Sequence, residues 1–245
     1  MKHIAIITAK GGNLSIPNKN LLPLKDKSIL RYVIEAAQAS AYVQEIFVST
    51  EDALIRKEAL RAHVDIIDRP VDLATPTANH GDAIIHAALE AQKRMGHIDT
   101  ITILLGNSAL LLPSDIDRTI TSLINNPGAD SAMTVWQAQD DHPYRAMSIT
   151  PDGYLNTFGE KTTDNTNRQS YPPVYFYDQG PWTVRMQVLL KTLEGERTGP
   201  ACWWWMGKKC LPVLRPWVTG RDVHSMLDLA VAKAWLDEKM WELEA

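Results

Sequence analysis

The sequence predicts an α/β protein whose core is a doubly wound, mostly parallel sheet. Short apolar runs alternate with segments of helical periodicity as far as residue 137. Strands and helices that alternate in this way form parallel sheets with helices packed on both faces. The first run, residues 4–8, is apolar at almost every position, which is typical of a strand that is buried on both faces.

The predicted elements follow the first strand in a regular order. Apolar residues at positions 30, 33, 34 and 37 indicate a helix over residues 29–40. A further helix is predicted over residues 114–125, and we expect Ser114 to cap its start. The other predicted strands are residues 46–49, 64–67, 100–105 and 132–136, and the other predicted helices in this part are residues 53–63 and 80–95.

The chain after residue 137 is less regular. Pro151, Asp152 and Gly153 are typical of a hairpin turn, and residues 161–170 form a polar loop. An amphipathic helix is predicted over residues 225–244. Because no internal repeat or low-complexity linker interrupts the chain, one domain with an insertion is the simplest organisation. The apolar side of the last helix carries Leu227, Ala230, Val231, Ala234, Trp235 and Met240.

Composition restricts the classes of ligand and partner. The chain has 245 residues and a formal net charge of −4, so no overall field attracts nucleic acid, and an anionic ligand requires a local cluster of positive charge. No apolar run approaches the roughly 20 residues that span a bilayer. Because the first residues lead directly into a strand, we expect no signal peptide. Cys202 and Cys210 fit neither a redox nor a zinc spacing. We therefore expect a cytoplasmic protein without membrane or nucleic-acid partners.

The loop after the first strand indicates a nucleoside triphosphate site. Gly11 and Gly12 allow a sharp bend, so that successive N–H groups can point at phosphate oxygens. Lys10 and Lys19 place positive charge on both sides of that turn. The spacing excludes the GxGxxG and GxxxxGK[ST] phosphate loops. A glycine-rich turn that binds no ligand is the alternative.

The loop also resembles a known signature. From Ala9 to Leu21 it reads AKGGNLSIPNKNL, which is similar to the signature loop of the CMP-sialic acid synthetase (acylneuraminate cytidylyltransferase) family. The sequence departs from that signature at Lys10, Asn13 and Leu14, where the family usually has Arg, Ser and Lys. Further segments resemble the family in the same order along nearly the whole chain, at residues 47–52, 69–78, 102–105, 142–144, 168–175 and 222–229.

The resemblance implies an activity and an assembly. It implies a Rossmann-like nucleotidyltransferase domain over residues 1–245, in which residues 138–220 contribute acceptor-site and dimerisation elements of a homodimer. It implies transfer of CMP from CTP to a nonulosonic (sialic-type) keto sugar acid with release of pyrophosphate. The alternatives are a sugar phosphate or phosphonate acceptor, a guanine instead of a cytosine base, and a non-catalytic nucleotide-binding homologue. The expected cofactor is a divalent cation, Mg²⁺ or alternatively Mn²⁺, because phosphoryl transfer depends on positioning and on neutralised charge.

The resemblance also assigns site residues. The candidate catalytic residues are Lys10, Lys19 and Asp222. The candidate metal ligands are Asp222 and His224, at the position of an Asp-x-Asp pair in the family. The candidate nucleotide-binding residues are Ala9, Gly11, Gly12, Asn13, Asn20 and Arg69, of which Asn20 is expected to help read the base. The candidate acceptor-binding residues are Gly106, Asn107, Arg145, Arg168, Tyr175 and Trp182.

Several of these assignments have alternatives. Arg69 is otherwise a surface arginine at a strand end, and Arg145 and Arg168 are otherwise solvated loop arginines. Residues 106–112 read GNSALLL where the family has QPTSPLR, so a glutamine amide and an arginine are lost near the acceptor. The run WWW at residues 203–205 either lines an acceptor pocket or belongs to the core or a dimer interface. His224 either binds the metal, which would favour Mn²⁺ or Co²⁺ over Mg²⁺, or contacts the acceptor or a phosphate.

Overall fold

A computed structural model describes residues 1–12, 16–159 and 165–238. Within these ranges, seven strands form one sheet in the order β11-β7-β10-β6-β1-β4-β5. Two short antiparallel pairs, β2 with β3 and β8 with β9, lie outside it. The strands are β1 (His3–Thr8), β2 (Pro23–Leu24), β3 (Lys27–Ser28), β4 (Glu45–Thr50), β5 (Asp65–Asp68), β6 (Thr100–Leu105), β7 (Ser131–Gln137), β8 (Met147–Ile149), β9 (Leu155–Thr157), β10 (Tyr175–Arg185) and β11 (Cys210–Leu214). The helices are α1 (Ile29–Gln38), α2 (Ala53–Arg61), α3 (His80–Met95), α4 (Pro113–Asn125), α5 (Met186–Leu193) and α6 (Met226–Asp237).

The doubly wound, mostly parallel sheet is confirmed. β1 pairs in parallel with both β4 and β6, β4 with β5, and β7 with β11. Among the described strands of this sheet, β10 alone is antiparallel to its neighbours, β6 and β7. The sequence analysis did not predict β10 or β11. Polar residues interrupt the apolar residues of β10, and a proline, which is unusual inside a strand, interrupts β11.

Two hydrophobic cores cover the two faces of β1. Ile4 and Ile6 pack with α3 and α5 on one face, whereas Ala5 and Ile7 pack with α1, α2 and α4 on the other. Successive side chains of a strand point to opposite faces, so a strand with helices on both sides must be apolar throughout. All six residues of β1 are buried, which is the reason for the apolar run in the sequence.

The hairpin predicted around residues 151–153 is confirmed. β8 and β9 pair antiparallel, and Gly153 in the connecting turn has a φ of 90°, a conformation that favours glycine. Several apolar side chains of this hairpin are exposed to solvent. The exposed fractions are 51% for Met147, 75% for Ile149, 69% for Leu155 and 65% for Phe158.

Two details of the predicted helices were wrong. α4 begins at Pro113, one residue before the predicted start, and Ser114 is not its cap. Proline is favoured at the first helical position, because its missing N–H has no partner there in any case. In α6 most of the predicted apolar side is exposed, with Leu227 70% accessible. Trp235 is buried as predicted, together with Asp228 and Ala232, which were not predicted. Residues 239–245 of the predicted helix lie outside the described residues.

The described residues contain no helix that is long and apolar enough to span a membrane. Cys202 and Cys210 are both free thiols.

Candidate functional site

The candidate site is an open cleft, of about 230 Å³, at the carboxyl ends of β1, β5 and β6. Ligands of open α/β sheets bind at this edge, where the connection order of the strands reverses. β6 lies on one side of β1 and β4 on the other, so the loop after β1 lies at such a reversal. We call this the nucleotide cleft. The predicted site residues that line it are Lys10, Lys19, Asn20, Arg69, Asn107, Asp222 and His224.

The neighbouring strands hold the start of the loop in place. The Ala9 N–H donates to the Ser49 carbonyl at 3.1 Å, and the Gly106 N–H donates to the Thr8 carbonyl at 3.0 Å. A Cβ atom on Gly106 would lie 2.8 Å from the Ala9 Cβ, so only glycine fits at this position. Gly12 has a φ of 60°, in the left-handed region. Asn13 lies outside the described residues.

The backbone amide of Gly11 is hydrogen-bonded to a carboxylate, that of Glu51. The Gly11 N–H donates to Glu51 Oε1 at 2.7 Å, and the buried Oε2 atom of Glu51 has no hydrogen-bond partner among the described residues. An N–H group that binds a carboxylate oxygen can also bind a phosphate oxygen, since both are anionic acceptors. The sequence analysis missed Glu51, because its role depends on the packing of β4 against the loop.

The two lysines differ in their surroundings. Lys10 Nζ donates to the Thr75 carbonyl at 3.3 Å. Lys19 is half-buried, and burial lowers the pKa of its ammonium group, an effect that Lys10 reinforces and that Asp222 opposes. The Lys19 charge is therefore incompletely solvated, and an anion that enters the cleft would stabilise it.

Asn20 and Arg69 are both buried and support the loop. Asn20 Nδ2 donates to the Lys10 carbonyl at 3.0 Å. Arg69 donates through Nη2 to the Ser49 carbonyl at 2.9 Å and through Nε to the Ser49 hydroxyl at 3.2 Å. Burial lowers the pKa of Arg69, while Glu51 raises it. The alternative of a surface arginine is wrong for Arg69, which is only 6% exposed. Base reading by Asn20 stays a prediction.

Asp222 connects the nucleotide cleft to the carboxy-terminal part of the chain. Its Oδ2 accepts a hydrogen bond from Asn107 Nδ2 at 2.6 Å, and its Oδ1 lies 2.9 Å from His224 Nε2. Asn107 also exchanges hydrogen bonds with the backbone of Val223, at 3.1 and 3.0 Å. Asp222 is therefore held at the end of β6, although 115 residues separate it from Asn107.

The donor set around Asp222 is compatible with a divalent cation that nucleotide oxygens help to hold. Asp222 and His224 supply one carboxylate and one imidazole, and the described residues contain no group of three or more His, Cys, Asp or Glu side chains around one point. Mg²⁺ commonly binds through one or two carboxylates together with substrate phosphates and water. The residues thus fit a cation that arrives with a triphosphate, and they do not form a complete cage for one.

The sequence analysis also missed His80, the first residue of α3. Its Nε2 atom lies 3.0 Å from the Thr8 hydroxyl, and its side chain lines the nucleotide cleft. Surrounding protein atoms, together with Arg69 and Lys10, lower its pKa, so the imidazole is neutral at neutral pH. No motif in the sequence marks this residue, because its position follows from the packing of α3 against β1.

Four of the predicted acceptor-binding residues lie away from the nucleotide cleft. Arg145 and Arg168 pair with Asp140, at 3.6 and 3.1 Å. Tyr175 lies at the start of β10 and is 46% exposed. Trp182 is a core residue, 3% exposed, and its indole N–H donates to the Asp178 carbonyl. The acceptor roles of these four residues stay predictions. Asn107 lines the cleft, and Gly106 directly precedes Asn107 in the chain.

The tryptophan run at residues 203–205 packs against the core. Trp205 is 1% exposed, and its ring lies 6.1 Å from that of Trp182. Trp203 and Trp204 are half-buried beside the same cluster. Of the two alternatives, packing in the core is therefore correct for Trp205.

Comparison with known proteins identifies the family. A sequence model of the family described as Cytidylyltransferase matches residues 4–152, more than half of the chain and including the loop after β1. The chain belongs to the cytidylyltransferase family. This cytidylyltransferase is therefore a nucleotidyltransferase, and its resemblance to the sialic-type branch is confirmed by its relatives.

Two relatives cover this cytidylyltransferase to different extents. Post-translational flagellin modification protein B of Campylobacter coli is 25% identical over 96% of this chain and 95% of its own length. The N-acylneuraminate cytidylyltransferase of Escherichia coli O18:K1:H7 is 40% identical over 35% of this chain, a stretch that spans only 20% of that relative.

A solved structure shares the fold of this cytidylyltransferase. The CMP:2-keto-3-deoxy-manno-octonic acid synthetase, determined as a complex with CTP, superposes with a TM-score of 0.71 over 98% of this chain and 100% of that one. The sequence identity is 16%, so this likeness shows the nucleotidyltransferase fold alone.

Proposed function

We propose that this enzyme transfers CMP from CTP to a nonulosonic keto sugar acid and releases pyrophosphate. One observation carries the proposal. Lys19, in the loop after β1, and Asp222, after β11, are close enough for Asp222 to raise the pKa of Lys19 within a cleft that both residues line. The ammonium group of Lys19 suits the phosphate oxygens of a triphosphate, and the carboxylate of Asp222 suits the divalent cation that accompanies it. The name of the N-acylneuraminate cytidylyltransferase relative supports a keto sugar acid as the acceptor.

The proposed reaction is a single displacement at phosphorus. The acceptor hydroxyl oxygen forms a bond to the α-phosphorus, the bond from that phosphorus to the bridging oxygen breaks, and pyrophosphate leaves with that oxygen. The hydroxyl proton passes to solvent. Lys10 and Lys19 neutralise the phosphate charge, and the N–H groups of Gly11 and Gly12 orient phosphate oxygens. A divalent cation, when bound, would supply further neutralisation, and Asp222 with His224 would hold it.

Pyrophosphate release over a panel of nucleotides and acceptors tests the proposal. The panel pairs CTP, GTP, ATP and UTP with keto sugar acids, sugar phosphates and phosphonates. We expect release with CTP and a keto sugar acid. Release with a sugar phosphate or phosphonate instead would contradict the acceptor class. Nucleotide binding without release from any pair would identify a non-catalytic homologue.

We also propose that the enzyme is a homodimer. The apolar side chains on the hairpin of β8 and β9 support this, because contiguous exposed apolar surface commonly marks an interaction site. Twofold dimers are the commonest closed assembly of identical chains.

A further inference from the structure

A second cleft opens beside the nucleotide cleft. We call it the aromatic cleft, because the rings of Trp136, Phe176 and Trp217 form much of its wall. Its volume is about 290 Å³, which is enough for part of a sugar-sized ligand. The two clefts are neighbours, because three residues line both of them: Gln179, Asp222 and His224.

The aromatic wall leaves apolar ring surface accessible. The rings of Trp136 and Phe176 are 4.8 Å apart and inclined by 32°, and Trp217 meets Trp136 edge-on at 6.5 Å. Trp217 is 46% exposed. An indole ring left in water at a cleft wall favours a ligand that covers it with C–H groups.

Arg221 lies on this wall with its guanidinium group partly exposed. The group is 4.9 Å above the Trp217 ring. Its Nε and Nη2 atoms donate to Asp228 Oδ1 at 3.2 and 2.5 Å, while Nη1 makes no hydrogen bond within the described part of the chain. Asp228 is fixed in turn by the N–H groups of His224 and Ser225. The guanidinium is therefore held in one orientation, with an N–H edge left for a ligand.

The acidic side chains of the aromatic cleft are already paired. Asp178 is bound by Arg215 at 2.5 Å, Asp222 by Asn107 at 2.6 Å, and Asp228 by Arg221. Paired carboxylates repel an anionic ligand less than free ones would. Arg215 and Arg221 thus compensate the charges of Asp178 and Asp228, whereas the neutral amide of Asn107 leaves the charge of Asp222 in place. Arg221 is the partly exposed cation of this cleft.

We propose that the aromatic cleft binds the acceptor, with Arg221 binding its carboxylate and the rings of Trp136 and Trp217 packing against an apolar face of the sugar. The proposal rests on the transfer reaction described above, and it names a site for the acceptor that excludes Arg145 and Arg168. A planar guanidinium binds a carboxylate through two parallel hydrogen bonds. The preferred acceptor is a keto sugar acid that carries deoxy or acyl groups, because a face without hydroxyls suits the indole rings.

Kinetics of Arg221→Gln test the carboxylate contact. We expect the KM for the keto sugar acid to rise about tenfold to a hundredfold, because a charge-assisted hydrogen bond is lost, while the KM for CTP stays within about twofold. Each acid is compared with its methyl ester. The wild-type enzyme should prefer the acid, and Arg221→Gln should lose that preference. A variant that is merely destabilised would weaken both compounds equally and keep the preference.

Arg197→Gln is the matched control, because Arg197 also lies over an indole ring, 4.2 Å from that of Trp204, but lines neither cleft. It should leave every KM unchanged. Trp217→Leu provides a second variant, which should raise the KM for the acid and for its ester alike. An unchanged acid KM in Arg221→Gln, or an unchanged preference over the ester, would overturn the assignment of the aromatic cleft alone. Absence of turnover with every keto sugar acid in the wild-type enzyme would overturn the proposed function and the cleft assignment together.

Discussion

Lys19 is the proposed triphosphate ligand whose charge is most affected by burial. Its ammonium group is half-buried, its pKa is lowered by burial, and Asp222 opposes that shift. A triphosphate would replace the solvation that the protein has removed. We expect Lys19→Ala to slow turnover by more than about tenfold and to weaken CTP binding. Lys10→Arg should have a mild effect, because it keeps the charge. Pyrophosphate release and CTP titration measure both variants, and unchanged turnover of Lys19→Ala would contradict the triphosphate assignment.

Asp222 and His224 allow a second prediction at the same scale. Asp222→Ala should nearly abolish turnover, because it removes the carboxylate at the junction of the two clefts. His224→Asp should keep activity or shift the metal preference towards Mg²⁺, since oxygen ligands suit that hard cation better than imidazole does. The measurement is the ratio of rates with Mg²⁺ and Mn²⁺ at saturating CTP. Full metal-dependent activity of Asp222→Ala would show that the metal binds elsewhere.

Motif residues and contact residues differ in how far the sequence predicts them. Lys19, Asn20 and Asp222 belong to segments that resemble a family signature, and all three line the nucleotide cleft. Glu51 lies in a segment that resembles the family but was not singled out there as a site residue, and His80 lies outside every such segment. His80 reaches the cleft because helix α3 packs against β1, and Glu51 reaches the Gly11 amide because β4 pairs with β1. Both contacts depend on residues far apart in the chain.

At the scale of elements, β1 and β10 show the same contrast. β1 was predicted because burial on both faces requires a local apolar run. β10 contains Asp178 and Gln179, and its register against β7 shifts between Tyr177 and Trp182. Its antiparallel insertion between β6 and β7 follows from pairing with distant strands, which no local pattern reveals. The acceptor region around β10 was accordingly the part that the sequence described least well.

The start of β1 gives a prediction for the dependence of stability on pH. His3 is buried, and its Nδ1 atom lies 2.6 Å from the Thr100 hydroxyl on β6. Burial lowers its pKa below the ordinary 6.5; the chain's amino terminus and Arg185 also lower it, whereas Asp99 raises it. Below about pH 6.5 the unfolded chain therefore binds a proton that the folded chain does not, so stability falls as the pH falls.

We expect His3→Gln to lose less stability than the wild-type protein between about pH 7 and about pH 5, since glutamine does not titrate there. Urea midpoints at both values measure the difference. His63→Asn is a suitable control, because His63 is exposed and asparagine tolerates its left-handed backbone, with a φ of 57°. An equal loss in the wild-type protein and in His3→Gln would exclude His3 as the source.

At the scale of the whole molecule, the hairpin of β8 and β9 leads to a prediction about assembly. Light scattering at micromolar concentration should give the mass of a dimer. Ile149→Lys together with Leu155→Lys should shift that mass towards the monomer, because charges would replace apolar side chains at the contact. Leu60→Lys on α2, at a leucine that is 56% exposed, should leave the mass unchanged. A monomeric wild-type protein would contradict the proposed dimer.

The two clefts draw their walls from different stretches of the chain. The loop lysines, Arg69, His80 and Asn107 of the nucleotide cleft all precede β7, whereas the rings and the arginine of the aromatic cleft lie between residues 136 and 221. A genetic crossover between residues 107 and 136 would therefore exchange the acceptor preference and leave most of the triphosphate machinery intact. Asp222 and His224 would come from the gene that supplies the carboxy-terminal part. A hybrid enzyme would therefore be active only where its Asp222 still accepts the hydrogen bond from Asn107. New sugar specificities could thus arise by recombination within one gene.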